Sequence, residues 1–227
     1  MRIAVIAAAV LIAVCSVAYA ADIVTVPTAN QLRAGEIDVA YYHLGLDLAP
    51  PAPQSLEAQT LYFGLTDQIE LDVHRYDPDG DRESVLVNAS FCLMRETETM
   101  PDLVIGGRNL LEEKTTDNPF WDSDDRSWSI SAAKTFSLPA SWPPKPPLVR
   151  VHLSLGTEDP SLLAEERHDG LFGGIQAKLT PEIGLVALQD SQDLITGLTY
   201  TPSSYPNFTL KGGTYGDHWW VGLSYAK

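Results

Sequence analysis

Two short stretches carry side chains that could perform chemistry if the fold brings them together. His152 and Ser154 lie two residues apart in VRVHLSLG, and Glu70, Asp72 and His74 alternate in the same way in IELDVHRY. A serine hydroxyl becomes a nucleophile when a histidine accepts its proton and a carboxylate orients the imidazole. These residue types therefore make acyl transfer, as in a lipid-modifying enzyme, a candidate activity.

Neither stretch has the local sequence of a nucleophile site. The chain contains no Gly-x-Ser-x-Gly elbow, the strained turn on which a nucleophilic serine is presented. Residues two apart on a β-strand point to the same face, so this spacing is equally that of an ordinary polar strand face. The five histidines are dispersed, and no cysteine lies near Cys92, so no pair has metal-ligand spacing. We predict no catalytic residue, no metal and no cofactor.

The elements that would position these residues follow from hydropathy. Ile69, Leu71 and Val73 alternate strictly with Glu70, Asp72 and His74, a pattern typical of a β-strand with two unlike faces. Similar alternation recurs along the chain and predicts an all-β fold of about 12 antiparallel strands, with 10 as the alternative. The predicted strands are 36–44, 56–65, 69–76, 84–95, 102–109, 127–138, 148–156, 170–179, 183–189, 193–200, 207–212 and 218–226.

The connections between these strands fall into two alternating sets. One set is mostly long and acidic, with 110–126 and 157–169 as its longest members, whereas the other consists mostly of short turns such as 66–68 and 180–182. Short periplasmic turns that alternate with longer outer loops are typical of outer-membrane barrels. The sorting favours an up-and-down transmembrane barrel over a soluble sandwich. The best candidate for a helix is 160–168.

The N-terminus has the features of a secretory signal peptide. Arg2 precedes an apolar run of 12 residues, 3–14, and Ala18-Tyr19-Ala20 supplies a small-x-small cleavage site. A lipoprotein acylated at Cys15 is the alternative, although Val14 places a bulky residue before the cysteine. We predict a signal peptide at 1–20, an N-terminal periplasmic segment at 21–35 and a barrel domain at 36–227.

The charge of the chain excludes one class of partner. It carries 15 basic and 30 acidic residues, for a formal net charge of −15. Such a protein is repelled by nucleic acid, and we predict no nucleic-acid partner. Insertion into a membrane is not excluded, because charged residues can lie in loops and in a barrel lumen.

In a membrane barrel the two faces of each strand meet lipid and lumen. On this interpretation, polar residues line the lumen and large apolar or aromatic residues such as Tyr42, Phe172 and Trp220 partly fill it. Lys134 interrupts an apolar face without an evident reason. The predicted lumen-lining residues are Glu36, Asp38, Glu70, Asp72, His74, Arg108, Arg150, His152 and Lys178. The predicted lipid-facing or interfacial residues are Tyr41, Trp128, Val151, Trp219 and Tyr225.

Two short motifs resemble those of known outer-membrane barrels. Ile23-Val-Thr-Val-Pro-Thr-Ala-Asn-Gln-Leu-Arg-Ala-Gly-Glu is similar to an opening in which a plug-like segment precedes the first strand, and Gly64-Leu-Thr-Asp-Gln-Ile-Glu-Leu resembles a hairpin of the same proteins. Together they resemble the YjbH-like group, which is associated with exopolysaccharide export. The resemblance implies an outer-membrane barrel with polysaccharide-export partners, and it provides no catalytic residue to transfer to this chain.

The sequence thus predicts an exported protein of the bacterial outer membrane, in contact with lipid, lipopolysaccharide and the barrel-assembly machinery. Its role would be structural, or that of a narrow channel for a small polar solute or an exported glycan, without catalysis. A soluble periplasmic β-barrel or sandwich that binds a ligand is the alternative. A barrel-embedded lipid-modifying enzyme is a third interpretation.

Overall fold

A computed structural model of the chain describes residues 22–23, 26–46, 54–78, 84–111, 126–138, 147–157, 159–162 and 165–227. The predicted signal peptide, Cys15 and most of the acidic loop 110–126 lie outside these residues. Within the described ranges, no helix is long and apolar enough to cross a membrane.

Twelve strands form one closed antiparallel barrel, which confirms the predicted fold class and strand number. Each strand pairs with its neighbours along the chain, and the first barrel strand pairs with the last. The barrel strands are β3 (Ile37–Gly45), β4 (Ser55–Gly64), β5 (Ile69–Pro78), β6 (Ser84–Met94), β7 (Asp102–Arg108), β8 (Ser127–Ser137), β9 (Leu148–Gly156), β12 (Gly170–Lys178), β13 (Ile183–Gln189), β14 (Leu194–Tyr200), β15 (Phe208–Tyr215) and β16 (His218–Ala226).

Two small hairpins complete the described structure. β1 (Asp22–Ile23) pairs with β2 (Val26–Pro27) ahead of the barrel, and β10 (Asp159–Leu162) pairs with β11 (Glu165–Arg167) between β9 and β12. The second hairpin occupies the segment 160–168 for which we predicted a helix, so that prediction is wrong. Strand pairing in this short loop, which the barrel ends anchor on both sides, overrides a weak local helical propensity.

The sequence alternation decides which side chains point into the barrel. In β3, Ile37 and Val39 on the outer face are 38% and 47% exposed, whereas Asp38 and Ala40 on the inner face are 1% and 2% exposed. The same alternation runs through β4 and β5. Closure removes the unpaired strand edges that an open sheet would leave.

The backbone of Ile37 and Lys227 exchanges two hydrogen bonds, so both ends of the barrel domain lie at one mouth, here called the terminal end. In two of the short turns at this end, a threonine hydroxyl binds backbone N–H groups of the turn. The Thr66 hydroxyl accepts the N–H groups of Gln68 and Ile69, and the Thr180 hydroxyl does the same for Glu182 and Ile183. The other mouth, the loop end, receives the long connections.

Lys134 also lies at the terminal end, and its position there explains why it interrupts an apolar face. Its Nζ donates hydrogen bonds to the carbonyl oxygens of Thr97, Glu98 and Met100 and lies 3.5 Å from a carboxylate oxygen of Glu96. The ammonium group therefore binds the turn 95–101. Its stem lies along the outer wall, as long basic side chains do near apolar surfaces.

The inner wall has two unlike halves. Strands β5 to β9 present mainly polar side chains, among them Glu70, Asp72, Arg108, Arg150 and Ser154, all of which are buried. The remaining strands contribute most of an apolar cluster that includes Tyr42, Leu44, Leu56, Phe172, Val186, Leu188, Ile195, Tyr215 and Trp220. Tyr42, Phe172 and Trp220 thus point inward, as the alternation predicts.

Candidate functional site

The lumen contains a piece of the chain itself. Residues 26–34, here called the inserted segment, precede the first barrel strand, and its Val26, Ala29 and Leu32 are at most 1% exposed. Val26 packs in the apolar cluster of the inner wall, whereas Ala29 packs against Cys92, Val104 and Ala133 on the opposite side. A segment that touches both halves of the inner wall occludes the barrel.

Arg150 on β9 is the main anchor of the inserted segment. Its Nε donates to Oδ1 of Asn30 at 2.8 Å, and its Nη2 donates to the carbonyl oxygen of Ala29 at 3.4 Å. The same guanidinium binds Glu96 at 2.7 Å and Asp102 at 2.5 Å. One inward side chain therefore neutralises two carboxylates and holds the segment, and we call this group the terminal-end cluster.

Glu96 lies in the turn 95–101, outside the strands. Partial burial alone would raise the pKa of its carboxyl, but the backbone N–H and hydroxyl of Thr135, together with Arg150 and Lys134, hold that pKa below its usual value. The carboxylate is therefore the stable form of Glu96 at neutral pH. It accepts hydrogen bonds from Thr135 at 2.8 and 2.9 Å.

Further contacts hold the segment along its length. The Leu32 N–H donates to Oε2 of Glu70 at 2.7 Å, and the side-chain amide of Gln31 donates to Ser90. The hydroxyl of Ser154 lies 3.4 Å from the carbonyl oxygen of Pro27 and 2.8 Å from the hydroxyl oxygen of Ser131. Wall side chains thus satisfy the polar backbone groups of a buried, irregular segment, as burial requires.

A second ionic group closes the loop end. Arg167 of β11 binds Asp190 at 2.8 Å and Asp193 at 3.0 Å, and its guanidinium lies 4.9 Å from the ring centroid of Tyr215. The Tyr215 hydroxyl donates to Asp190. The Arg167 and Asp190 side chains are 2% and 0% exposed, so this group, the loop-end cluster, fixes the β10–β11 hairpin on the barrel mouth.

Asp190 lies in the turn between β13 and β14. Burial alone would raise the pKa of its carboxyl, but Arg167, the Tyr215 hydroxyl and the Asp193 backbone N–H hold that pKa below its usual value. The pair is therefore ionised at neutral pH.

Between the two clusters, a row of polar groups follows the inner wall. Asp72 Oδ1 lies 2.8 Å from Nε2 of His74, and Nδ1 of His74 lies 2.9 Å from the Tyr76 hydroxyl. Arg108 continues the row, because its Nη2 donates to the Tyr76 hydroxyl at 3.3 Å and its Nη1 lies 3.4 Å from Nδ1 of His168. The row thus runs from the middle of β5 to the loop end.

A cavity of about 40 Å³ lies between this row and the inserted segment. The segment contributes Pro27, Thr28 and Asn30 to its lining. The wall contributes Glu70, Asp72, Asn88, Ala89, Ser90, Val104, Gly106, Gly107, Arg108, Ser129 and Ser131.

The residues that we predicted to line the lumen have the following positions. Asp38, Glu70, Asp72, His74, Arg108, Arg150 and His152 are buried on inner faces. Lys178 at the end of β12 is half-buried, and Glu36 precedes β3, where its carboxylate accepts the Arg33 N–H. His152 and Ser154 share a strand face, but the Ser154 hydroxyl bonds to Ser131.

The residues that we predicted to face lipid lie on outer faces. Tyr41, Trp128, Val151 and Trp219 are 39% to 52% exposed. Tyr225 is half-buried because its ring packs on Phe208, with the ring centroids 4.9 Å apart. Trp219 packs in a similar way on His43.

Sequence reasoning missed the loop-end cluster and the anchors Glu96 and Asp102. Arg167 gave no signal, because its position depends on the fold of a loop. The inserted segment did give one: residues 23–32 contain no charged side chain, so they can be buried without the cost of desolvating an ion.

Comparisons with known proteins gave matches among solved structures. No family model and no curated protein matches the chain. Among solved structures, the KdgM porin is similar over 84% of this chain and 98% of its own, with 11% identity and a TM-score of 0.48. An outer membrane channel from Pseudomonas putida F1 is similar over 86% of this chain and 96% of its own, with 14% identity and a TM-score of 0.39. Neither protein is described as a member of the YjbH-like group, so membership of that group stays a prediction, and similarity at this level indicates nothing about function.

Proposed function

We propose that this protein is an outer-membrane β-barrel that forms a narrow passage for a small polar solute or an exported glycan, without catalysis. The observation that carries the proposal is the outer face of the closed barrel. Large apolar side chains are exposed all round it, for example Leu61, Leu153, Leu171 and Leu198 at 46% to 66%. An apolar patch of this extent is unstable in water, whereas a lipid bilayer solvates it.

The interior argues against a wide pore. The inserted segment fills the lumen, and the terminal-end and loop-end clusters hold chain segments at the two mouths. Passage of a solute therefore requires either a path beside the inserted segment or its displacement. A general porin would leave an aqueous channel instead.

The alternatives fit the geometry less well. A soluble periplasmic barrel or sandwich would carry polar residues on its outer face, which here is apolar. For a lipid-modifying enzyme, the Ser154 hydroxyl would have to be activated and accessible, yet it bonds to Ser131 and lies against the inserted segment at Pro27.

The proposal is tested by fractionation and by heat-modifiable gel migration. The mature protein should be found in outer-membrane fractions, and unboiled samples should migrate differently from boiled ones. Recovery of a soluble periplasmic protein would overturn the proposal.

A variant locates the lipid-facing surface. Val151→Arg places a charge at the middle of β9 on the outer face, where a basic residue costs about 2–4 kcal/mol if the surface meets lipid. We expect this variant to assemble poorly. Thr99→Arg, in the exposed turn 95–101, is the control and should assemble normally.

A further inference from the structure

The cavity beside the inserted segment is too small to be a path for solutes. Its volume of about 40 Å³ is room for a few waters only. A solute that crosses the barrel therefore takes the space that the inserted segment fills. Whether the barrel can open thus depends on whether this segment can leave while the barrel stays folded.

The inserted segment is not part of the strand pairing of the barrel. Its strand, β2, pairs with β1, and the closed barrel contains neither of these two strands. The segment is joined to β3 at the terminal end, through Gly35, whose φ of 81° turns the chain into the lumen. Withdrawal of the segment towards this mouth would leave every ladder of the barrel intact.

Charged side chains of the wall have partners in the wall as well as in the segment. Arg150 binds Glu96 and Asp102 in addition to the inserted segment, and Asp72 accepts a hydrogen bond from the side-chain amide of Asn88. These contacts do not involve the segment. Its withdrawal therefore leaves these ions paired and avoids the cost of an uncompensated buried charge.

The hydrogen bonds between the wall and the backbone of the segment are ones that water can replace. Glu70 accepts the N–H group of Leu32, and the hydroxyl of Ser154 lies beside the carbonyl oxygen of Pro27. Both wall groups belong to the polar half of the lumen. In a hydrated lumen, the exchange of such a bond for one to water changes the free energy by far less than the strength of the bond in isolation.

Gly64, at the end of β4, marks the closest approach of the segment to the wall. A Cβ atom at this position would collide with the carbonyl oxygen of Arg33, and the next two nearest atoms belong to the backbone of Arg33 and Leu32. All three atoms are part of the inserted segment. A side chain at Gly64 would therefore displace the segment and spare the barrel.

We propose that the inserted segment is an intramolecular plug. It fills the solute path along the polar half of the lumen, and its withdrawal through the terminal mouth opens that path while the barrel stays folded. The open lumen is then lined by polar side chains, among them Glu70, Asp72, Arg150 and Ser154. This inference rests on the proposed function, because it describes how the proposed passage is closed.

The native Cys92 reports whether the plug is in place. Its side chain is 1% exposed and packs in one cluster with Ala29 of the segment. It is the one thiol of the mature chain, since the other cysteine, Cys15, lies in the predicted signal peptide. The test measures the rate of maleimide labelling of Cys92 in detergent micelles and the potassium current in planar bilayers. Wild-type protein should be labelled slowly and should conduct little above the protein-free background.

Ala29→Glu displaces the plug in the full mature chain. A carboxylate at this position has no partner in the buried cluster of Cys92, Val104 and Ala133, so the segment leaves the lumen to hydrate it. We expect heat-modifiable, assembled protein whose Cys92 is labelled several-fold faster than in the wild type and which conducts potassium. Ala34→Glu adds the same side chain to an exposed residue of the segment and should stay closed.

Gly64→Ala displaces the plug from the side of the wall, by the addition of one methyl group. It should raise the labelling rate and the current in the same direction as Ala29→Glu, and it decides the matter if Ala29→Glu does not assemble. Gly106→Ala is its control. There the nearest atom to the added Cβ is the hydroxyl oxygen of Ser129 at 3.2 Å, and the labelling rate should not change.

Three results would overturn the inference. The first is failure of both Ala29→Glu and Gly64→Ala to assemble while their controls do, since the segment would then be part of the core. The second is an assembled Ala29→Glu variant whose Cys92 is as unreactive as in the wild type. The third is a variant with reactive Cys92 that conducts no more than the wild type, since another part of the chain would then close the barrel.

Failure of the proposed function is distinguished from failure of this inference. Wild-type protein that fractionates as a soluble periplasmic protein overturns the proposed function. Labelling of Cys92 in micelles does not depend on that result, and it shows separately whether the segment leaves an intact barrel.

Discussion

At each end of the barrel, one arginine lies between two carboxylates. The arginine is part of the barrel wall at one end, whereas at the other end it is part of the chain segment that the wall holds. In the terminal-end cluster, Arg150 is part of the wall and binds a neutral inserted segment through Asn30 and Ala29. In the loop-end cluster, Arg167 belongs to the β10–β11 hairpin and binds Asp190 in the turn between β13 and β14 and Tyr215 on the wall. The first arrangement holds a segment by hydrogen bonds and the second by a buried ion pair.

The two clusters also differ in burial. Side-chain exposure is 11% for Arg150, 21% for Glu96 and 11% for Asp102, against 2% for Arg167 and 0% for Asp190. Loss of one carboxylate removes part of the compensating charge in both places, but the Arg167–Asp190 pair is less accessible to water than Arg150 and its two carboxylates. The loop end is therefore more sensitive to the loss of a carboxylate, although the ion pair itself need not stabilise the fold relative to apolar residues.

The largest effect is expected for Asp190→Ala. This change leaves Arg167 buried without its nearest carboxylate, for which the cost is about 3–5 kcal/mol of the free energy of unfolding. Urea unfolding of the protein in detergent micelles measures it. The matched control is Asp193→Ala, because Asp193 binds the same guanidinium but is 33% exposed, and its loss should cost less than about 1 kcal/mol. Equal effects of the two variants would contradict the difference in burial.

This comparison also marks the limit of prediction from sequence. The strand bounds follow from alternation interrupted by turn residues, and a period of two fixes which side chains face in. The ends of the observed strands differ from the predicted ones by at most three residues, at β15. Asp38, Glu70 and Arg150 were placed on one face by the same rule.

The partners of these side chains did not follow from the pattern. Arg150 binds Asn30, which is 120 residues away in sequence, and Arg167 binds Asp190 from a hairpin whose form the local sequence misstates. Alternation specifies a face of a strand but not what lies opposite it in the lumen. Lys134 shows the same limit, because its partners are carbonyl oxygens of a turn whose position only the closed barrel defines.

A smaller effect is expected for Arg150→Met at the terminal end. The hydrogen bonds from this charged group to Asn30 and Ala29 should contribute about 1.5–3 kcal/mol to retention of the inserted segment. The segment should then open about 10 to 100 times more often, since 1.4 kcal/mol is a factor of ten. The rate of maleimide labelling at Ala29→Cys, in a Cys92→Ala background, measures opening. Ala29 and Cys92 belong to one buried cluster, so the double substitution exchanges their side chains and conserves the total side-chain volume.

The control for this variant is Arg75→Met, which removes a partly exposed arginine from the outer wall. It should leave the labelling rate unchanged. A rate that does not rise with Arg150→Met would mean that the other contacts, from Glu70, Ser90 and Ser154, suffice to hold the segment. The difference between the ends would then lie in the number of contacts and not in the arginine.

The smallest effect is expected for Glu96, and it depends on pH. Because the pKa of Glu96 in the folded protein lies below its ordinary value of 4.5, the carboxylate stabilises the fold at every pH above that value. This contribution declines as the pH falls through the lowered pKa of the folded state, where both states become protonated. The difference in urea midpoint between wild type and Glu96→Gln should therefore be constant from pH 7 to about 5 and vanish in stronger acid. Glu98→Gln, an exposed residue of the same turn, should not change the midpoint at any of these values. A difference that persists in acid would show that Glu96 acts through its shape and hydrogen bonds to Thr135, and not through its charge beside Arg150.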